Sequence, residues 1–324
     1  GAEKFTYYSS VSYTDQQGVQ YSQSLSRVTG RVNVKYDAKS WLQVGANLLF
    51  SDINQNIGSD GTQYTSPLYS SKHKLTPSDP VYNEDGSYNV DLLSNGSRNP
   101  KASLDYDYDR QRVTRSFNTI YADIKFMEPL HLKSTFSYDH TTSKAKSWTD
   151  SRTSSGATTQ GSANKSYYDY NQMVWSTNLN YVKTFKKVHH FDALIAYEIS
   201  EYKRDYLSGA QKGFANPDYN EIGNGANPTG VGGNSAQWRL VSYISKVNYD
   251  YKNKYYAGAS YRLDGTSRLH RDSRWGNFWS LSGAWRFSKE KFFKGLKHLI
   301  PDAKLRVSYG VNGTLPSSYY AYMS

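Results

Sequence analysis

Residues 27 to 50, RVTGRVNVKYDAKSWLQVGANLLF, alternate apolar and polar side chains on both sides of a single turn. Val28, Gly30, Val32, Val34 and Tyr36 share one parity, and Arg27, Thr29, Arg31, Asn33 and Lys35 share the other. Beyond the turn at 37 to 40, Leu42, Val44, Ala46, Leu48 and Phe50 carry the apolar parity, and the opposite parity holds Gln43, Gly45, Asn47 and Ser51. Successive side chains leave a strand on opposite faces, so the stretch reads as a hairpin of two-faced strands, whereas a helix would scatter the same residues around its surface. The pattern leaves one question open: whether the apolar face meets a protein core or lipid.

The pattern recurs along the chain. Ile120, Ala122, Ile124 and Phe126 alternate with Thr119, Tyr121, Asp123 and Lys125, and after a turn at 127 to 129 come Leu130, Leu132, Phe136 and Tyr138. Trp175, Thr177, Leu179 and Tyr181 precede the turn at 186 to 190 and Phe191, Ala193, Ile195, Tyr197 and Ile199 follow it. Val241 to Tyr249, Tyr255 to Tyr261, Leu281 to Phe287 and Leu305 to Val311 repeat the scheme, which with a first strand near Phe5 to Tyr13 makes roughly eleven strands.

Short turns at 37–40, 127–129, 186–190 and 251–254 alternate with mostly long polar loops at about 52–110, 140–166, 205–236 and 264–276. That segregation is the layout of an outer-membrane barrel, whose strands cross in about 9 to 11 residues. Aromatic residues beside the turns, among them Tyr36, Trp41, Phe126, Tyr181, Tyr249 and Tyr255, fit an interfacial girdle. Full charges in the polar parity, including Arg27, Arg31, Lys35, Lys133, Arg262 and Arg306, suit a watery lumen and not a soluble core. The competing reading is a curved sheet with one solvated and one buried face.

No run of roughly 18 apolar residues exists, and a mean hydropathy of -0.77 excludes a transmembrane helix but not a barrel, in which two-faced strands average their hydropathy away. Cysteine is absent, which removes disulfides and thiolate metal sites. The net charge of +11 is scattered and forms no basic stripe, so nucleic acid is not an expected partner. Asp105 to Asp109, DYDYD, begins like a calcium loop, but Arg110 stands where glycine is needed and Ser116 where glutamate is needed; the segment reads as a strand approach with three carboxylates on one face. Gly223 to Gly233 lacks the lysine of a phosphate-binding loop, and the seven histidines show no zinc spacing. No catalytic, cofactor or metal residue is identified, and nothing argues for an enzyme. Ser288 to Asp302 departs from the alternation and its spacing predicts a short helix on the turn side.

Ser260 to Phe293, SYRLDGTSRLHRDSRWGNFWSLSGAWRFSKEKFF, resembles the R-x-D-G-S-S-R-F…R-W-G-x-F-x-S-x-S-x-x-W-R segment of the SusC/RagA family of TonB-dependent outer-membrane transporters. Leu305 to Gly313, LRVSYGVNG, is similar to the family's next strand, Pro67 to Tyr88 to its long loop and Asn99 to Asp105 to the approach after it; His189 to Tyr202 and Ser242 to Tyr256 fit as well. Leu263 and Leu269 depart from the family's usual residues near the D-G-S-S-R-F turn.

The resemblance implies an all-β, antiparallel transmembrane β-barrel of which residues 1–324 supply about half of 22 strands, with a plug domain and TonB box expected outside this chain. It also implies TonB-driven import of a large nutrient, oligosaccharide or peptide, across the bacterial outer membrane, with a SusD-like lipoprotein as lid. Loop aromatics Tyr64, Tyr69, Trp148, Tyr167, Tyr168 and Trp275 are the candidate ligand contacts. A passive porin or structural barrel, and a soluble β-rich glycan-binding or adhesin protein, are the alternatives.

Overall fold

A computed structural model describes residues 4–58, 66–91, 96, 98–315 and 319–320, the side chain of Leu68 excepted. Among these described residues eleven strands form one sheet in chain order, and each is antiparallel to its neighbours. They are β1 (Phe5–Gln17), β2 (Ser24–Lys39), β3 (Leu42–Asn56), β4 (Tyr108–Met127), β5 (Leu130–Thr149), β6 (Ser162–Phe185), β7 (His189–Phe214), β8 (Gly225–Tyr251), β9 (Tyr255–Thr266), β10 (Trp275–Trp285) and β11 (Leu305–Val311).

The register aligns the alternation seen in the sequence across the whole sheet. One row of directly paired residues runs Tyr7, Val34, Ala46, Ile120, Phe136, Trp175, Ile199, Val241, Gly265, Trp275. The row beside it runs Thr6, Lys35, Gly45, Tyr121, Thr135, Ser176, Glu198, Ser242, Asp264, Gly276, on the opposite face. A slip of one residue in any strand would swap the two faces there, so the pattern itself fixes the pairing.

Among the described residues no protein layer covers the apolar face apart from the contacts of Glu290 and Phe292 at the ends of β9 and β10. Ile120 is 55%, Ile195 64% and Val307 68% exposed, and among the described residues only Ala102, Trp148, Ala163, Ala196, Phe214 and Phe293 are buried hydrophobics. The accessible area of 20749 Å² far exceeds the roughly 13,600 Å² of a globular chain of 36.8 kDa. Charged residues occupy the other face, so neither face is a closed core. No described helix is long and apolar enough to cross a membrane, which says nothing of crossing by strands.

The short connections are tight hairpins. Lys186 and Lys187, and likewise Lys252 and Asn253, have positive φ between 49° and 59°, and Val188 N donates to Phe185 O and Lys254 N to Tyr251 O. Positive φ at both central residues twists the turn in the sense the strands require, which outweighs the strain carried by the lysines. Opposite these turns lie the long connections. Two short helices, α1 (Pro67–His73) and α2 (Pro100–Tyr106), start with proline behind Ser66 and Asn99 as N-caps. Asn99 is fully buried: its Oδ1 accepts from Lys101 N and Ala102 N, and its Nδ2 donates to Val81 O and Asn89 O.

Three sequence expectations differ from the structure. The strands run well into the segments assigned to loops, leaving only 150–161 between β5 and β6 and 215–224 between β7 and β8. Those extensions are mostly polar, with apolar residues such as Trp148, Leu207 and Val231 too sparse to alternate, so hydrophobic alternation does not report them. Ser288 to Asp302 forms two 3₁₀ turns, Phe287–Lys289 and Lys291–Leu296, rather than one helix. There Glu290 accepts from Tyr255 Oη and Trp285 Nε1 and pairs with Lys254, pinning the segment to the strand ends. The three carboxylates of DYDYD do not share a strand face either: Asp105 lies in the last turn of α2, Asp107 caps it, and Asp109 lies in β4.

Candidate functional site

Beyond the apolar band, the polar face of β6, β7 and β8 carries a wall of aromatic rings. Tyr168 and Tyr170 are two apart on β6 and their rings lie 5.7 Å apart at 4°; Tyr168 also stacks on its cross-strand partner Tyr206 at 4.4 Å and 27°. Further across, Tyr202 on β7 stacks on its partner Trp238 on β8 at 5.7 Å and 21°, and Tyr319 meets Tyr202 edge-on at 6.4 Å. The Arg268 guanidinium sits 4.4 Å from the Trp238 ring centre and 4.5 Å from that of Tyr319. Direct cross-strand pairing brings such rings close, and each pair is stabilising beyond its buried area.

This wall presents flat apolar faces rimmed by donors. Arg204, between Tyr202 and Tyr206, donates from Nη2 to Asn234 Oδ1 at 2.9 Å, while its Nε and Trp238 Nε1 are buried with no hydrogen-bond partner among the described residues. Burial raises the phenol pKa of Tyr202, and of Tyr168, so both keep their protons and their neutral ring faces. Stacked rings with edge donors suit a ligand with flat apolar patches and acceptor oxygens, such as a sugar ring or a peptide plane. Among the described residues no group of three or more His, Asp or Glu could hold a metal ion.

The six charged residues expected in a lumen, Arg27, Arg31, Lys35, Lys133, Arg262 and Arg306, all lie on this polar face. Two of them are tied down. Lys133 lies 4.6 Å from the centre of the Tyr121 ring, which itself covers Gly45 so closely that a Cβ there would come within 2.4 Å of it. Arg262 bonds to Asp264 and to Ser242 Oγ.

The candidate ligand contacts separate into different places. Tyr168 belongs to the ring wall. Tyr69 is on α1, exposed and packed on His73 at 4.7 Å. Tyr167 lies within β6 on the opposite, apolar-parity face, where its Oη donates to Asp169. Trp275 shares that face, covers Gly265 and stacks on Tyr243 at 6.3 Å. Trp148 is 2% exposed, edge-on to Phe214 at 4.8 Å and packed with Ala163, Tyr108 and Ile222. Tyr64 lies outside the described residues. Tyr170, Tyr202, Tyr206, Trp238 and Arg268 were not among the sequence candidates; the i, i+2 spacing of Tyr168 with Tyr170 and of Tyr202, Arg204 and Tyr206 is the signal that could have found them.

No family model matches the chain. It is 26% identical over 319 residues to TonB-dependent receptor P39 of Formosa agariphila, covering 97% of this chain and 30% of that protein. To TonB-dependent receptor SusC of Bacteroides thetaiotaomicron it is 24% identical over 342 residues, covering 97% of this chain and 32% of SusC. The chain thus spans about a third of the length of the relatives it matches. The solved RagAB peptide transporter superposes with a TM-score of 0.76 at 21% identity, over 96% of this chain and 35% of that one. The ferric-catecholate receptor Fiu of E. coli superposes with a TM-score of 0.58 at 10% identity, over 97% of this chain and 51% of that one. The resemblance to SusC and other TonB-dependent receptors extends over nearly the whole chain, and the open sheet has the fold of part of a TonB-dependent receptor barrel.

Proposed function

We propose that this chain is part of the barrel wall of an outer-membrane importer driven by TonB. The observation that carries the reading is the register: one uncovered apolar face and one polar, charged face over the same strands. Acyl chains would meet the first face and a water-filled interior the second. TonB would act through a plug contributed by sequence outside this chain, and a SusD-like lipoprotein would close the loop end. The ring wall of Tyr168, Tyr170, Tyr202, Tyr206 and Trp238 would then receive the nutrient, an oligosaccharide or a peptide, as it passes from lid to interior. Tyr69 is also exposed at that end, whereas Tyr167 and Trp275 lie on the opposite face; Arg31, Lys133, Arg262 and Arg306 would line the path below.

Uptake of labelled oligosaccharide and peptide mixtures by cells carrying the full-length protein, with and without TonB, tests this reading. Loss of uptake without TonB supports it; equal uptake identifies a passive porin. Replacing both Tyr168 and Tyr206 by Ala removes one stacked platform and is expected to weaken ligand binding about tenfold, at ~1 kcal/mol or somewhat more per lost stack. Unchanged binding would remove the wall from the pathway.

A further inference from the structure

A second feature lies on the opposite face, above the apolar band, and the import mechanism does not use it. Three cations stand side by side on neighbouring strands: Arg110 on β4 pairs with Lys146 on β5, which pairs with Lys165 on β6. In the next row Arg112 pairs with Lys144, and Lys144 with Tyr167. All share the parity of Ile120, Phe136 and Trp175, and they line a groove of about 1090 Å³ that draws on strands from β1 to β8.

Like charges directly opposite on adjacent strands repel, so such rows persist only with anions to hold them. Part of that role is filled from within. Glu221, from the connection after β7, reaches over to pair with both Lys146 and Lys165, and Asp52 pairs with Arg112 at 2.9 Å. Arg110 and Lys144 have no ion-pair partner among the described residues; their charges lie over the rings of Tyr108 and Tyr167, at 4.2 and 5.9 Å. Five cations therefore face three carboxylates, Glu221, Asp52 and, on the groove wall, Asp15, with two aromatic rings beside them.

The height of the groove identifies its occupant. Tyr138 is the last large aromatic of the apolar band on β5, since Trp148 further along the same face is buried against Phe214; Lys144 lies six residues beyond Tyr138, roughly 20 Å along the strand and about 15 Å along the membrane normal at the usual barrel tilt. We infer that this groove binds the anionic saccharide headgroup of a glycolipid whose acyl chains lie against the apolar face below. Its phosphate or carboxylate groups pair with Arg110 and Lys144, and a sugar ring stacks on Tyr167. The inference rests on the membrane reading above, because only a lipid anchored in the surrounding leaflet presents its headgroup to this outward side.

The test uses the full-length protein purified in mild detergent from its own outer membrane. Native mass spectrometry is expected to show co-purified glycolipid, with occupancy falling at least tenfold in the combined Arg110→Gln, Lys144→Gln, Lys165→Gln variant that still shows heat-modifiable gel mobility. Rebinding of the extracted glycolipid before and after phosphatase treatment separates phosphate from carboxylate as the recognised anion. A photo-crosslinking residue at position 144 should capture glycolipid in intact cells, which bears on the groove even if the triple variant fails to assemble. Unchanged occupancy, or capture of a protein in place of lipid, overturns the inference. Solubility without detergent would instead defeat the membrane reading, so the two failures are distinguishable.

Discussion

The turn end and the loop end of this sheet present different surfaces on the same strands. Near the turns, one face is a continuous apolar surface with no protein layer over it among the described residues, the contacts of Glu290 and Phe292 apart, and the other carries Arg31, Lys133 and Arg306. Toward the loops, the apolar parity becomes polar, with Asp52, Arg112, Lys144 and Asp169, and among the described residues the buried aromatic packing there is local, around Trp148. The backbone ladder is uninterrupted between them. On the membrane reading proposed above, which side chains are tolerated is set by what lies outside the sheet: hydrocarbon at one level and water at the other.

The largest contrast is expected from Trp148. Its ring fills the space between Phe214, Ala163 and Tyr108, and lies so close to Gly161, at φ +81°, that a Cβ there would meet it at 2.9 Å. Trp148→Ala should cost about 3–5 kcal/mol of local stability. Hydrogen exchange should report it as loss of protection confined to 150–161 and the adjoining ends of β5 and β6, with the apolar band unaffected. Loss spread over the whole sheet would show that the two ends are one cooperative unit.

A matched pair on β7 comes next. Ile195 and Leu207 share a face and are both exposed, at 64% and 59%. Ile195→Lys places a charge within the band and is expected to cost about 2–4 kcal/mol of assembly in lipid, whereas Leu207→Lys should be nearly neutral. The folded fraction read from heat-modifiable gel mobility checks both; equal effects would erase the distinction between the ends.

A smaller, pH-dependent effect is confined to the loop end. Burial, reinforced by the charge of Asp150, raises the Asp107 carboxyl to about 6, against the hydrogen bonds it accepts from Asp150 N and Thr153 Oγ1. The folded state therefore holds the proton more tightly than the unfolded chain. Its contribution is fully present below the ordinary value of 3.8 and is lost as pH rises through about 6. The difference is at most about 3 kcal/mol. Protection of 150–161, corrected for intrinsic exchange, should fall between pH 5 and pH 7, and Asp107→Asn should flatten that dependence.

The turn end was legible in the sequence because an uncovered apolar face backed by a polar one keeps a strict period-two code, visible from Val28 to Phe50 and again from Leu305 to Val311. The strand count and short turns follow from the same code. The loop end obeys no such code. Strand extensions with Lys144, Lys146 and Lys165 on one face and Asn164 and Ser166 on the other are mostly polar, so they read as loop. Trp148 looked like an exposed loop aromatic because nothing local shows that Phe214, distant in sequence, will cover it. The ring wall depends on pairings such as Tyr202 with Trp238, which only the register supplies. Near Asp302, Pro301 and the pinning of Glu290 favour short turns over a helix whose spacing was present in the sequence.

The claim on which the account depends is that the apolar face meets acyl chains. This chain has no cysteine, so single spin-labelled cysteines at Leu194, Ile195, Ala196, Tyr197 and Glu198 of the full-length protein in bilayers can report each face in turn. Collision with oxygen dissolved in the lipid should peak at 195 and 197, and collision with a water-soluble nickel chelate at 194, 196 and 198. No alternation, or the opposite phase, would contradict the account.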